Sequence, residues 1–158
     1  AARTQGPAAP RLKPGPRAMA DDPYRLQRFV DAQAAVHEQA LRELSEGAKR
    51  GHWMWFVFPQ LRTLGHSGMA RHFGLDSLAE AQAYLAHPLL GPRLKQCTLA
   101  VLGVQGRTAL QIFGTPDVLK FCSSMTLFER AAPQEPLFVQ ALEQFYDGQR
   151  DARTLALL

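Results

Sequence analysis

A short apolar block at residues 53–58 constrains the fold of this chain more than any other feature. It holds four aromatic side chains, including both tryptophans, and polar groups flank it at Lys49, His52 and Gln60. Each large ring can bury roughly 150–250 Å² of surface, so the block must lie in the core or form the floor of a pocket. Periodicity alone allows a strand or a buried helix. Because no other segment offers a partner strand, we predict a short buried helix that Pro59 helps to end.

Capping residues and apolar periodicity predict helices along the rest of the chain. An apolar stripe over residues 26–44 predicts one long amphipathic helix that begins after Asp22-Pro23 and ends at Gly47. Further helix starts are indicated at Ser67, Ser77, Pro88 or Pro92, Thr108, Thr115-Pro116, Pro136 and Asp151. The sequence therefore predicts an all-α fold, a single compact domain of about eight short helices.

The first twenty residues differ in composition from the rest. They contain four basic residues, four prolines and no acidic residue, and such a stretch cannot bury enough apolar surface to offset the entropy of ordering. We predict a disordered basic arm over residues 1–20 and a globular domain over residues 21–158. We expect the domain to start at Met19, which Ala20-Asp21-Asp22-Pro23 follows. Removing the arm's four basic residues from the 18 in the chain leaves 14, against 14 acidic residues, so the domain is formally neutral. We therefore expect no nucleic-acid partner.

Several other classes of function lack their usual sequence signals. No apolar run approaches the ~18–20 residues that span a bilayer, so we expect no membrane partner. Cys97 and Cys122 are isolated, which is typical of a reducing compartment, and we expect a cytoplasmic protein. The histidines lack metal-ligand spacing, and no phosphate-binding loop or dinucleotide fingerprint occurs. We expect no metal and no resident cofactor.

The polar groups around the aromatic block form the first candidate site. An indole face of Trp53 or Trp55 can stack on a planar ring such as a nucleobase. Lys49 can then contact a phosphate, and Gln60 can bond to a ring edge. The alternative is an aromatic core in which His52 donates to a backbone carbonyl and Lys49 extends to solvent. Taken alone, the residue types favour the core.

A helix segment rich in small polar residues forms the second candidate site. Ser123, Ser124 and Thr126 can bond back to the preceding turn or face a ligand. Asp117 and Lys120 lie three residues apart on one side of the same helix, which makes Lys120 a binding candidate and Asp117 a candidate catalytic acid or base. The alternative is close helix packing, with the acid favoured by the helix dipole.

Glu43 is the other candidate catalytic carboxylate. It precedes Lys49 by about a turn and a half, so it can reach the aromatic block. A solvated surface charge is the favoured interpretation of Glu43, and the catalytic role is the alternative.

Several motifs together resemble the domain-of-unknown-function family 1810, which consists of small, mostly bacterial proteins. The resemblance covers about residues 21–158 and implies a small all-α fold without an agreed activity. The motifs that carry it are Asp22-Pro23-Tyr24, Lys49, His52-Trp53-Met54-Trp55, Phe58-Pro59-Gln60, Phe73-Gly74-Leu75, His87-Pro88, Leu90-Gly91 and Ser123-Ser124-Met125-Thr126-Leu127-Phe128.

A helix that begins at His87-Pro88 and contains Leu94, Cys97 and Thr98 is also similar in pattern to the NADAR proteins, which act on ADP-ribose derivatives. This resemblance implies that an indole stacks on adenine and that a diphosphate lies near the basic groups before the aromatic block. A carboxylate would then stabilise the oxocarbenium ion formed when an N-glycosidic bond breaks. The residues implied are Trp53 or Trp55, Lys49 with His52, and Glu43 or Asp117.

The sequence allows two functions. The first is a domain that binds a small nucleotide-like ligand related to ADP-ribose or NAD, with hydrolysis of that ligand left open. The second is a non-catalytic protein-interaction module whose aromatic block is core and whose protein partner is unknown.

Overall fold

Residues 21–158, the part that a computed structural model of the chain describes, form ten α-helices and one short 3-10 helix. No strand occurs among these residues, which confirms the predicted all-α class. The longest helix has 15 residues, and none in the described part is both long and apolar enough to span a membrane. The helices are α1 Gln27–Ala34, α2 His37–Glu46, α3 Met54–Val57, α4 Gly68–Phe73, α5 Leu78–Ala86, α6 Leu90–Leu102, α7 Ala109–Phe113, α8 Asp117–Ala131, α9 Pro136–Tyr146 and α10 Ala152–Leu157, with the 3-10 helix Arg62–Leu64 before α4. The arm predicted over residues 1–20 lies outside the described residues.

The prediction of one long helix after Asp22-Pro23 is wrong, because the chain forms the two helices α1 and α2 in this segment. The backbone leaves the helical region at Val36, with φ −126° and ψ −8°, and α2 begins at the next residue. Near the break, the buried Gln33 side chain donates to the carbonyl oxygen of Phe56 at 2.7 Å and to the Tyr84 hydroxyl at 3.0 Å. The stripe of residues on one helix side runs through Gln33, Val36 and His37 without interruption, so the periodicity gave no signal of the break.

The short helices follow their local signals closely. The aromatic block forms the one-turn helix α3, as predicted. Ser67 caps α4 by accepting from the N–H of Ala70, and Asp151 caps α10 by accepting from the N–H of Thr154. Thr108 and Gln111 form a complete capping box at α7. Each of these caps satisfies N–H groups that the first helical turn leaves without a partner.

Helix α8 lies at the centre of the fold, with α5, α7, α9 and α10 packed against it. Its buried Phe121 ring stacks on Phe113 at 4.5 Å between centroids and meets the edge of Phe58 at 4.9 Å. Further along α8, the Phe128 ring contacts Tyr84 of α5 and Phe138 of α9. The aromatic block is thereby joined to the central helix through Phe58.

The contact between the end of α5 and the start of α6 generates a stability prediction. A Cβ atom at Gly91 would lie 2.1 Å from the carbonyl oxygen of Leu85, whereas a Cβ at Gly68 would meet nothing within 4 Å. We expect Gly91→Ala to lower the free energy of unfolding by about 1–3 kcal/mol, since the backbone must shift to relieve the overlap. Gly68→Ala, the matched control, should be neutral or stabilising by up to about 1 kcal/mol. Urea denaturation of both variants checks this, and equal midpoints would contradict it.

Candidate functional site

A surface cleft of about 500 Å³, which we call the Lys120 cleft, lies beside the start of α8. The loop after α3, the first two turns of α8 and the start of α10 wall it. Its volume falls in the range of small-molecule sites, roughly 300–1,000 Å³. Polar side chains in its wall belong to Gln60, His66, Ser67, Lys120, Ser123, Asp151 and Arg153.

A much smaller cavity, which we call the Trp55 cavity, adjoins this cleft. Its volume is about 10 Å³, close to the space that one water molecule needs. Gln60, Ala70 and Lys120 line both spaces. The remaining walls are apolar apart from Trp55 and the backbone at Gly74. The Trp55 cavity can therefore hold one small polar atom but not a planar ring.

Trp55 is the one tryptophan that lines a cavity. Its side chain is half-buried, and its indole Nε1 is buried without a hydrogen-bond partner among the described residues. The Lys120 ammonium lies 5.0 Å from the centroid of its ring, a cation–π distance. A nucleobase can stack on that face of the ring only if Lys120 moves.

Trp53, in contrast, belongs to the core. It is 1% exposed, and its indole N–H donates to Glu43 at 3.0 Å. Phe56 and Phe58 of the same block are also buried. The two interpretations of the aromatic block therefore apply to different residues. Most of the block is core. Met54, Trp55 and Phe58 line the Trp55 cavity, and Trp55 is the half-buried member of these three.

Glu43 is a buried carboxylate, so the expectation of a solvated surface charge is wrong. It is 5% exposed and accepts from the backbone N–H groups of Arg50 at 2.8 Å and Gly51 at 2.9 Å. It also accepts from the indole of Trp53 at 3.0 Å and from Gln39 at 2.8 Å. Burial alone would raise its pKa, but the four hydrogen bonds outweigh burial and lower the pKa to about 2. Glu43 lines neither the cleft nor the Trp55 cavity.

Asp117 lies between two lysines. The Lys49 ammonium is 2.8 Å from one Asp117 oxygen, and the Lys120 ammonium is 3.7 Å from the other. The Lys49 side chain is only 7% exposed, donates to the carbonyl of Gly51 and lies 4.9 Å from the centroid of the Trp53 ring. Lys49 is thus an internal partner of Asp117, and Lys120 is the cation of this pair that reaches the cleft.

The other predicted binding residues divide among three environments. Ser123 lines the cleft and donates to the carbonyl of Leu119 at 3.1 Å. Ser124 and Thr126 are fully buried, and Thr126 donates to the carbonyl of Cys122 while accepting from the N–H of Asp151. His52 is exposed and lines neither space. Of the predicted set, the structure brings Gln60, Lys120 and Ser123 to the cleft and Trp55 to the adjoining cavity.

Sequence reasoning missed two basic residues of the cleft, His66 and Arg153. Arg153 is exposed and has no ion-pair or hydrogen-bond partner within residues 21–158. Asp151 also lines the cleft, but one of its oxygens accepts from both the N–H and the hydroxyl of Thr154. No periodicity or motif connects residue 153 with residue 60 or 120, because only the folded chain brings them together.

The cleft is suited to an anionic ligand. Its permanent cations are Lys120 and Arg153, and its single carboxylate, Asp151, is hydrogen-bonded as a helix cap. Among the described residues, no group of three His, Cys, Asp or Glu side chains is placed to hold a metal ion. The chemistry that the site offers is therefore charge pairing and hydrogen-bond donation.

The fold and the cleft define a small all-α domain with a basic surface cleft. A family model described as "Protein of unknown function (DUF1810)" matches residues 23–158, so the chain belongs to the DUF1810 family. It is also similar to the crystal structure of the conserved hypothetical protein Rv1873 from Mycobacterium tuberculosis, with 59% sequence identity and a TM-score of 0.86. That match covers 87% of this chain and 98% of the other. No curated protein matched the chain, and these comparisons add no support for a similarity to the NADAR proteins.

The lowered pKa of Glu43 generates a pH-dependence prediction. A drop from 4.5 to about 2 corresponds to about 3 kcal/mol of folding free energy. Because the folded-state pKa is the lower one, this stabilisation is present above pH 4.5 and is lost as the pH falls towards about 2. Between pH 5 and pH 2 we expect the wild-type protein to lose about 2–3 kcal/mol more stability than Glu43→Gln, in which the group does not titrate.

Urea denaturation of both proteins at a series of pH values measures this difference. The other carboxylates titrate in both proteins, so they cancel in the comparison. Parallel pH profiles would show that the Glu43 hydrogen bonds do not hold a carboxylate in the folded state.

Proposed function

We propose that this protein binds a small, anionic, nucleotide-like ligand, related to ADP-ribose or NAD, in the Lys120 cleft. The observation that supports the proposal is the convergence of Gln60, Lys120 and Ser123 with Arg153 around one cleft of about 500 Å³. Structural packing alone does not require two cations and an amide from three distant segments to share a cleft. One phosphorylated ligand can pair with both cations and accept a hydrogen bond from the amide.

The charges in the cleft favour phosphate groups. Lys120 is held only loosely by Asp117, at 3.7 Å, and Arg153 has no ion-pair partner among the described residues. Both cations are therefore free to pair with a diphosphate. His66 adds a third basic side chain to the wall of the cleft.

The less polar part of the cleft can accommodate the rest of a nucleotide. Leu119 is 66% exposed and lines the cleft beside Pro116, so together they present an apolar surface to a flat ring. Gln60 and Ser123 supply hydrogen-bonding groups for the edge of a base or the hydroxyls of a ribose. We therefore propose Leu119 and Pro116 for the ring contact, since Trp53 is buried and Lys120 covers one face of Trp55.

If the bound ligand is hydrolysed, Asp117 is the carboxylate that we propose for the reaction. Asp117 does not itself line the cleft, but it lies one turn of α8 before Lys120, which does, and its side chain is 17% exposed. Glu43 is less suited, because four donors already occupy its oxygens. Release of the free base from NAD, followed by chromatography, would test for turnover, and Asp117→Asn should abolish it.

The burial of Trp53, Phe56 and Phe58 supports the alternative, a non-catalytic protein-interaction module. Under this alternative the aromatic block serves the core alone, and the polar groups of the cleft are ordinary surface residues. A protein of this kind would show no stabilisation by any small ligand, whereas the ligand-binding proposal requires one.

A thermal-shift screen of the full chain tests the proposal directly. The panel consists of ADP-ribose, NAD, nucleotides and sugar phosphates. A ligand at 100 times its Kd adds about 2.7 kcal/mol of stability, which raises the Tm by several degrees in a domain of this size. We expect Lys120→Met to abolish the shift. Lys95→Met should keep it, because Lys95 pairs with Glu135 away from the cleft. If no ligand of the panel raises the Tm, the ligand-binding proposal is rejected in favour of the interaction module.

The contrast between the two tryptophans generates a further prediction. Trp53→Ala should lower the free energy of unfolding by about 3–5 kcal/mol, since it removes a fully packed ring. Trp55→Ala should cost less than half as much, because its ring is half-buried at a cavity. Chemical denaturation measures both values. Equal large losses would place Trp55 in the core and remove it from the proposed site.

A further inference from the structure

The Trp55 cavity is suited to bind one group of the ligand proposed above, so this inference rests on the proposed function. We propose that this cavity is the subsite for one oxygen atom of a phosphate group, held by the indole N–H of Trp55, the Lys120 ammonium and the Gln60 amide. The Lys120 cleft beside it would hold the remainder of the ligand.

The first observation is the buried indole nitrogen. Trp55 Nε1 has no acceptor among the described residues, and a buried donor without a partner destabilises the folded state. The indole of Trp53 is the internal contrast, because it donates to Glu43 at 3.0 Å. A cost of this kind in a native protein calls for an explanation, and a ligand acceptor supplies one.

The second observation is the lining of the cavity. Trp55, Gln60 and Lys120 bring hydrogen-bond donors, and the remaining side chains in the wall are apolar. No carboxylate lines the cavity. Gln60 makes no side-chain hydrogen bond within residues 21–158, so its amide is available. With no carboxylate in the wall, these donors favour a negatively charged oxygen over a cation.

The third observation is the size of the cavity and its position. A volume of about 10 Å³ admits a single oxygen atom and excludes a ring. Gln60 and Lys120 line the cleft as well, so a group anchored here continues into the larger space. Arg153 lines that cleft without an ion-pair partner in the described part of the chain, and it suits the remaining oxygens of a doubly charged phosphate.

The test uses the two indole N–H signals in the ¹H–¹⁵N NMR spectrum of the full chain, which has two tryptophans. Trp55→Phe keeps an aromatic ring, removes the N–H and thereby assigns the Trp55 signal. On titration with inorganic phosphate, we expect the Trp55 indole proton to move downfield and saturate, as a hydrogen bond forms. The Trp53 signal should stay in place.

Trp55→Phe should weaken phosphate binding about tenfold or more, the loss expected for one hydrogen bond to a charged group.

The outcomes separate this inference from the proposed function. If nucleotides stabilise the protein but neither phosphate nor the nucleotide shifts the Trp55 indole signal, the ligand does not enter the Trp55 cavity. That outcome overturns the subsite. If phosphate moves the Trp55 signal but no nucleotide binds, the subsite stands and the nucleotide proposal fails. A Trp55 signal that shifts equally with acetate shows a general anion site and overturns the assignment to phosphate.

Discussion

The hydrogen bonds that Glu43 accepts are the constraint on which the site depends. This carboxylate holds the N–H groups of Arg50 and Gly51 together with the indole of Trp53, and it thereby fixes the chain between α2 and α3. Trp53 directly precedes α3 and is held in the core, whereas Trp55 lies in the single turn of α3 and lines the cavity beside the cleft. A charged group in the interior, stabilised by four donors, thus fixes the indole next to the turn that carries Trp55.

A series of charged side chains, Lys49, Asp117 and Lys120, connects the core to the proposed site. Lys49 lies against the Trp53 ring and pairs with Asp117, and Asp117 in turn lies near Lys120 at the cleft. Because Lys49 already neutralises Asp117, Lys120 is not tightly bound to it and can serve the cleft. The family of unknown function and the conserved hypothetical protein that match this chain name no ligand, so the proposed ligand rests on this chemistry alone.

The local features of the fold were predicted well, and the errors have a common origin. Ser67 and Thr108 were identified as helix caps because a cap acts on N–H groups only two or three residues away. The break at Val36 was missed because the apolar stripe continues across it, so local periodicity carries no signal of the change in backbone conformation. Glu43 was placed on the surface for a similar reason, since nothing in its spacing shows that a following loop will wrap around it.

The all-α class and the positions of most helices follow from periodicity and capping, both of which operate within a few residues. The candidate site does not follow from these local rules. Gln60, Lys120 and Arg153 lie far apart in the chain, and their meeting depends on how α8 packs against α10 and the loop after α3. The sequence could suggest that Lys120 and Gln60 bind a ligand, but Arg153 carries no signal of its own. Packing between distant segments placed it there, and that packing is a property of the folded chain as a whole.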